Sequence, residues 1–317
     1  MNIKKIFISS LGFRLTVLIL ASVIPPMLIG ILFTSYRAEK ILRQDAKELL
    51  AAKGQAVTNL VNQWADLYTM ALRNLSIQPD IISMDAQKQK LILTKAASVY
   101  KDITITTTGK NGIAVATSDR IKDTQNYSDR EWFKRAIRGQ LFTRQTLISK
   151  TTRKPRLCIS TPIRAEKIPQ IVGVMVLCKD LATVANAVGS ITLGQTGYAL
   201  LVDNKGQVIS HPNREFITEL KNFSNYAPVE VTLKKKPGSS GYFSFTEQDG
   251  VQWMSYITRL KNGWGVVVQQ QEKDVLQEAI QFERIAIGMA TLAVLGVGAL
   301  TWWLASSLVR QSLQQLL

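Results

Sequence analysis

The chain has 317 residues and a formal net charge of +16, from 39 Lys and Arg against 23 Asp and Glu, with one His and two Cys. A single histidine excludes a His-rich metal site and leaves a His-based triad one candidate base. No phosphate-binding loop or Gly-x-Gly-x-x-Gly run is present, so no nucleotide site, metal or cofactor is expected.

The ends set the class. Leu15 to Phe33 is nineteen residues without a charge, and Ile285 to Val309 is twenty-five. Each matches the ~20 residues that cross a bilayer core. We read 1–10 as a cytoplasmic N-terminus, 11–34 and 285–305 as transmembrane helices, and 35–284 as one extracytoplasmic domain in the inner membrane of a cell. The first run is read as an uncleaved anchor because Pro25-Pro26 interrupts it and no clear cleavage site follows. A basic domain held at a membrane attracts anionic ligands or an anionic envelope surface, and nucleic acid is not an expected partner.

After the first span, Leu42, Ala46, Leu49, Ala56, Leu60, Trp64, Leu67 and Ala71 recur at three- and four-residue steps, and no proline interrupts Ser35 to Gln78. This predicts a long helix over 35–78 whose stripe packs on its own domain and can also meet a second chain in a homodimer. Beyond Pro79, Ile103–Thr108 and Ile113–Val115 around Gly109–Gly112 predict a hairpin. Tyr127-Ser-Asp-Arg130-Glu-Trp132-Phe133 follows, opening a short helix that Gly139 stops. Its guanidinium is a two-pronged carboxylate binder, and its rings supply apolar walls. The alternative for these residues is a helix start with a buried Trp and solvated charges.

Arg156–Ser160 and Ile171–Cys178 are predicted strands joined near Pro169, with Asp180 at the end of the second. Hairpin registry sets Cys158 opposite Cys178, close enough for a bridge. A one-residue slip would separate them, and two reduced thiols are the expectation. Gly197–Asp203 with Gln207–Ile209, then Tyr242–Phe245, Val251–Tyr256 and Trp264–Val268, predict a second hairpin and later strands. The order of elements thus recurs about 95 residues on without a strict sequence period, which implies two modules, 79–190 and 191–271. Asp203 reads as a turn residue capping its own backbone. His211 before Pro212 reads as structural, and Lys234-Lys-Lys236 as a solvated turn. Glu272–Arg284 is predicted to run as helix, without a breaker, into the second span.

These residues resemble a known family. Gly197-Tyr-Ala-Leu-Leu-Val-Asp-Asn-Lys-Gly-Gln-Val-Ile-Ser-His211-Pro212 looks like the membrane-proximal module of double Cache sensor domains. Tyr127–Phe133 resembles the ligand-facing segment of their distal module, and Gly263–Val268 their last strand. The resemblance implies an α+β fold, with a long N-terminal helix beside two stacked PAS-like antiparallel-sheet modules, flanked by two transmembrane helices. It implies a receptor, not an enzyme, that senses a small solute outside the cytoplasm as chemotaxis receptors do. It further implies that Arg130 and Trp132 hold a ligand carboxylate, with Tyr127 and Phe133 beside them, and that Asp180 holds an amine.

The sequence departs from that pattern in places. The family's Tyr upstream of the Arg falls near Gln125, with Tyr127 displaced by two, and a further Tyr and Asp fall near Leu147 and Ser149. The ligand class implied is an amino acid, organic acid or similar, with a small carboxylate as the core expectation. Ser306–Leu316 resembles the opening of a HAMP relay helix (306–317), which would serve a cytoplasmic signalling module. The alternatives are the input region of a sensor histidine kinase or diguanylate cyclase, or an envelope-binding scaffold without a solute.

Overall fold

The computed structural model describes residues 11–100, 102–119, 125–150, 152–165 and 170–314. The expectations for 1–10, for the joint near Pro169 and for the last residues of the relay helix lie outside these. Contacts divide the chain into one unit of the residues up to Glu48 with those from Glu272 on, and a second, Leu49–Gln271.

Helix α1 (Leu11–Ser76) runs 66 residues, with Pro25 and Pro26 inside it. From the other end, α8 (Glu272–Val275) and α9 (Gln277–Gln314) belong to the same unit as the start of α1. The Arg43 guanidinium joins the two, reaching Glu39 at 2.8 Å and Glu272 at 2.5 Å. Two apolar helical stretches, 17–76 and 277–304, are long enough to cross a membrane. The predicted unbroken run from Glu272 into the second span is corrected at one point, because a single turn at Leu276 separates α8 from α9. The Leu276 N–H still bonds the Glu272 carbonyl and the Ile280 N–H the Leu276 carbonyl, each at 3.0 Å, so the hydrogen-bond ladder carries through the turn.

The second unit holds both modules. In the distal one, α2 (Pro79–Ile82) and α3 (Ala86–Val99) precede β1 (Ile103–Gly109) and β2 (Ala114–Thr117). Then come α4 (Glu131–Ile137), β3 (Thr143–Ile148), β4 (Pro155–Arg164) and β5 (Ile171–Asp180). The five strands form one sheet in the order β2-β1-β5-β4-β3, antiparallel throughout. After α5 (Ala182–Gly189), the proximal module continues with β6 (Thr192–Leu193), β7 (Gly197–Val202), β8 (Val208–Ser210), α6 (Arg214–Thr218) and α7 (Ala227–Lys234). It ends with β9 (Ser240–Thr246), β10 (Gln252–Arg259) and β11 (Gly265–Gln271). Its order is β6-β7-β11-β10-β9, with β8 added on β7. Two antiparallel sheets beside a long helix is the α+β architecture expected.

The predicted helical stripe divides. Ala46 and Ala71 turn inward with Leu50, Val57, Val61, Ala65, Tyr68 and Leu72, all buried. Leu49 and Leu67 face out at 45% and 49% exposure. A three-four spacing alone cannot separate two adjacent seams of a helix, and only the partner surface decides which is covered. Helices α3, α5 and α7 and the edge strand β3 carried no signal strong enough to be predicted.

Central strands β4 and β5 are buried along nearly their whole length, because α4 covers one face of the sheet and Tyr68 of α1 approaches the other through Lys179. Cys158 and Cys178 are directly opposite across this pair, 4.0 Å apart at Cα, and their sulfurs are bonded. The expectation of two reduced thiols is therefore overturned. The β4–β5 register sets the two residues opposite each other, and the slip that would have parted them does not occur.

Candidate functional site

Register carries one set of side chains to one face of the distal sheet. Thr104 pairs with Cys178, Cys178 with Cys158, and Cys158 with Gln145, one residue from each of four neighbouring strands. The next row is Thr106, Val176, Ser160 and Thr143. On the other side lie Asp180, Arg156 and Leu147. Because strand residues alternate faces, these rows share a surface and α4 lies over it.

Helix α4 is fixed to that surface through Trp132. Its backbone N–H donates to Gln145 Oε1 at 3.0 Å, and its carbonyl accepts from the Thr143 and Ser160 hydroxyls at 3.2 and 2.9 Å. The Trp132 ring is buried and lies 5.6 Å from Tyr127 and 6.1 Å from Phe133. Gly139, at φ +94°, ends the helix where a side chain would be strained.

A pocket opens between the rows and the segment before α4. Thr104, Thr106, Arg156, the Cys158–Cys178 bridge and Val176 form its floor, and Tyr127, Arg130, Trp132, Leu147, Ser149, Lys150 and Asp119 its walls. The cavity is small and partly open to solvent.

Three of the five predicted residues therefore meet here: Tyr127, Arg130 and Trp132. Phe133 does not. It is buried behind Trp132, among Ala136, Val174 and neighbouring apolar side chains. Asp180 lies on the correct face, in the row of Arg156 and Leu147, but does not line the pocket, and its carboxylate accepts the Ala182 N–H at 2.9 Å. It borders a separate open cleft with Lys154, Leu181 and Arg214.

The prediction missed Arg156, Lys150, Thr104, Thr106 and Asp119. Strand alternation in Arg156-Leu-Cys and Thr104-Ile-Thr was the available signal, since each pair two apart shares a face. Leu147 and Ser149, where the resemblance placed a Tyr and an Asp, do line the pocket.

The charges are uneven. Lys150 Nζ binds Asp129 at 2.8 Å and the Asn126 carbonyl at 3.1 Å, and lies 5.7 Å over the Tyr127 ring, so it straps down the segment before Arg130. That contact holds the Asp129 carboxyl below its usual range. Arg130 Nε approaches Asp129 only to 3.9 Å, and its side chain is 19% exposed. Arg156 is buried, donating to Thr104 Oγ1 at 2.9 Å and to the Cys178 carbonyl at 2.7 Å. Burial lowers its pKa, while the charges of Asp119 and Asp180 oppose that shift.

No group of three or more possible metal ligands occurs among the described residues. The pocket lining combines two guanidinium groups and an ammonium with one carboxylate, hydroxyls and an aromatic wall.

A Cache domain family model matches residues 38–279. The chain is 21% identical over 309 residues to Protein IcfG of Synechocystis sp., covering 96% of this chain and 48% of that protein. It is 24% identical over 267 residues to the methyl-accepting chemotaxis protein PscA of Pseudomonas syringae pv. tomato, covering 79% and 41%. The chain thus spans about half the length, or less, of the curated relatives it matches. Among solved structures, the ligand-binding domain of Pseudomonas fluorescens chemoreceptor CtaA, in complex with L-leucine, superposes with a TM-score of 0.58 at 19% identity, covering 75% of this chain and 99% of that one.

Proposed function

The chain belongs to the Cache domain family, and from that premise we propose that it is the sensing part of a transmembrane receptor whose distal pocket binds a small carboxylate-bearing anion. The observation that carries this reading is the convergence of Arg130, Tyr127 and Trp132 on one cavity. Arg130 would take the carboxylate with its planar fork, and the ring of Trp132 would hold the ligand's apolar body. Relatives named as chemotaxis proteins and a chemoreceptor of the same fold support the receptor class.

In this reading the two apolar helices span the inner membrane, both termini lie in the cytoplasm, and the modules lie outside. A homodimer forms along the outward face of α1, where Leu49, Ala56 and Met70 recur at multiples of seven residues beside Leu60 and Leu67. The signal leaves through β11, which passes into α8 without a loop, and through α9. Packed helices shift by about 1–2 Å, and a ligand moves that balance only by its differential affinity for the two states. A cytoplasmic module of the chemotaxis, kinase or cyclase type would receive it.

Titration calorimetry of the full chain in nanodiscs tests the reading directly. Organic acids and amino acids should include a binder whose heat disappears in Arg130→Ala. Unchanged affinity in a folded Arg130→Ala protein would remove the assignment. Alkaline phosphatase fusions at Gly206 and Leu317 test the topology: activity is expected at Gly206 only.

A further inference from the structure

Resting on that reading, we infer that the distal pocket reads two anionic groups rather than one, with Arg130 and Arg156 each taking one, and that it selects against an α-ammonium. The observation is Arg156. It is 7% exposed and lines the pocket, yet no ion pair to a carboxylate is made by it among the described residues. Its two contacts, Thr104 Oγ1 and the Cys178 carbonyl, are neutral acceptors. Asp180, opposite it across the β4–β5 pair, spends its carboxylate on the Ala182 N–H instead.

A buried guanidinium carries five N–H donors and a full charge, and removing it from water without a counter-charge is costly. The two neutral contacts use two of its five N–H donors, and the side chain lines the cavity. Asp119 and Asp180 act on the guanidinium without forming an ion pair, and an anionic ligand group there would put a charge in direct contact with it. Arg130, the N-cap residue of α4, and Arg156 of β4 line the same cavity from different parts of the chain. The pocket therefore presents two guanidinium forks, each matched to a carboxylate or phosphoryl group.

The lining that would recognise an ammonium is correspondingly thin. Asp119 is the one carboxylate among the lining residues, and it accepts the Thr104 hydroxyl at 3.1 Å. Ser149 stands where the resemblance placed an acid. The small cavity suits a compact dianion such as a short dicarboxylate or phosphate.

The test is calorimetry of the full chain in nanodiscs with malonate, succinate and hydrogen phosphate against monomethyl succinate, propionate and L-alanine. At least one dianion should bind about 30-fold or more tighter than the monoanions. L-Alanine should bind no tighter than propionate. Arg156→Gln should weaken the dianion about tenfold or more beyond any loss for the monoanions, so that the dianion preference collapses, which a merely structural role for Arg156 would not do. Arg156→Lys, keeping the charge without the fork, should fall between. The wild-type series needs no variant to fold.

If monomethyl succinate matches succinate, or L-alanine exceeds propionate about tenfold, the two-anion inference falls and the carboxylate reading stands. If no acid in the series binds, both fall.

Discussion

Gly112, Asn126 and Ser128 of the distal module hold the same places as Gly206, Asn222 and Ser224 of the proximal one. Tyr127 donates its N–H to the Gly112 carbonyl at 2.8 Å, and Phe223 does the same to Gly206 at 2.8 Å. The Ser128 and Ser224 amides each donate to an Asn side chain, at 2.8 Å in both. Each frame then starts a helix, with Arg130 as the N-cap of α4 and Tyr226 as the N-cap of α7.

The frame is shared and its contents differ. Arg130 faces a cavity. Tyr226 meets Gln269 at 2.8 Å and Glu247 at 3.1 Å, and Gln269 also bonds Tyr198. Around them His211, Phe216 and Phe223 fill the space with rings 4.8 to 5.7 Å apart. One backbone device therefore supports a charged pocket in one module and a partly buried aromatic cluster in the other, where Tyr226 also borders an open cleft with Phe245 and Glu247.

The sharpest break in this comparison is at the caps. Arg130→Ala should weaken the anionic ligand about 100-fold or more, because one side of a desolvated charge pair is lost. Tyr226→Ala should leave affinity within about twofold. Calorimetry of both proteins with the best-binding acid decides it, and equal losses would dissolve the distinction.

The shared frame makes the opposite prediction, that the two modules behave alike. Gly112 and Gly206 sit at φ +82° and +80°, and an added Cβ would lie 2.7 and 2.8 Å from the Ser128 and Ser224 amide nitrogens. Gly112→Ala and Gly206→Ala should each cost about 2 kcal/mol or more in thermal unfolding, from the left-handed backbone and the collision together. A cost confined to one module would show that the frames are not equivalent.

A smaller effect separates polar filling from apolar filling. Tyr226→Phe keeps the ring and removes the hydroxyl that Gln269 and Glu247 share, leaving a fully buried amide without that partner. A loss of about 1 kcal/mol is expected in chemical denaturation, with ligand affinity unchanged.

The smallest effect concerns pH. Burial among the rings holds His211 below its usual range, and Lys221 adds to that. The folded chain protonates this imidazole less readily than the unfolded chain, whose group titrates near pH 6.5, so the unfolded state binds more protons on acidification. The contribution is fully present above about pH 6.5 and is lost as pH falls below it. Melting temperatures from pH 7.5 to 5.5 should decline less steeply in His211→Phe than in wild type. The same slope in both would assign the decline to other groups.

The sequence alone determined the class of this protein. Hydrophobic runs, alternation in the strands, the glycines at Gly109–Gly112 and Gly206, and the Tyr127–Phe133 stretch are local signals, and local signals survive without knowledge of partners. Asp203 illustrates the point, capping its own turn through the Lys205 and Gln207 amides at 2.8 and 2.9 Å. What depended on a distant partner was decided by tertiary structure. The exposed and buried seams of α1 are set by which sheet residues lie against it. The Cys158–Cys178 bond is set by strand register. Phe133 is removed from the pocket by a helix rotation, and Asp180 by the amide of Ala182. Arg156 is brought in, more than twenty residues along the chain from Arg130, because two strands and a helix converge where no spacing rule in the chain reaches.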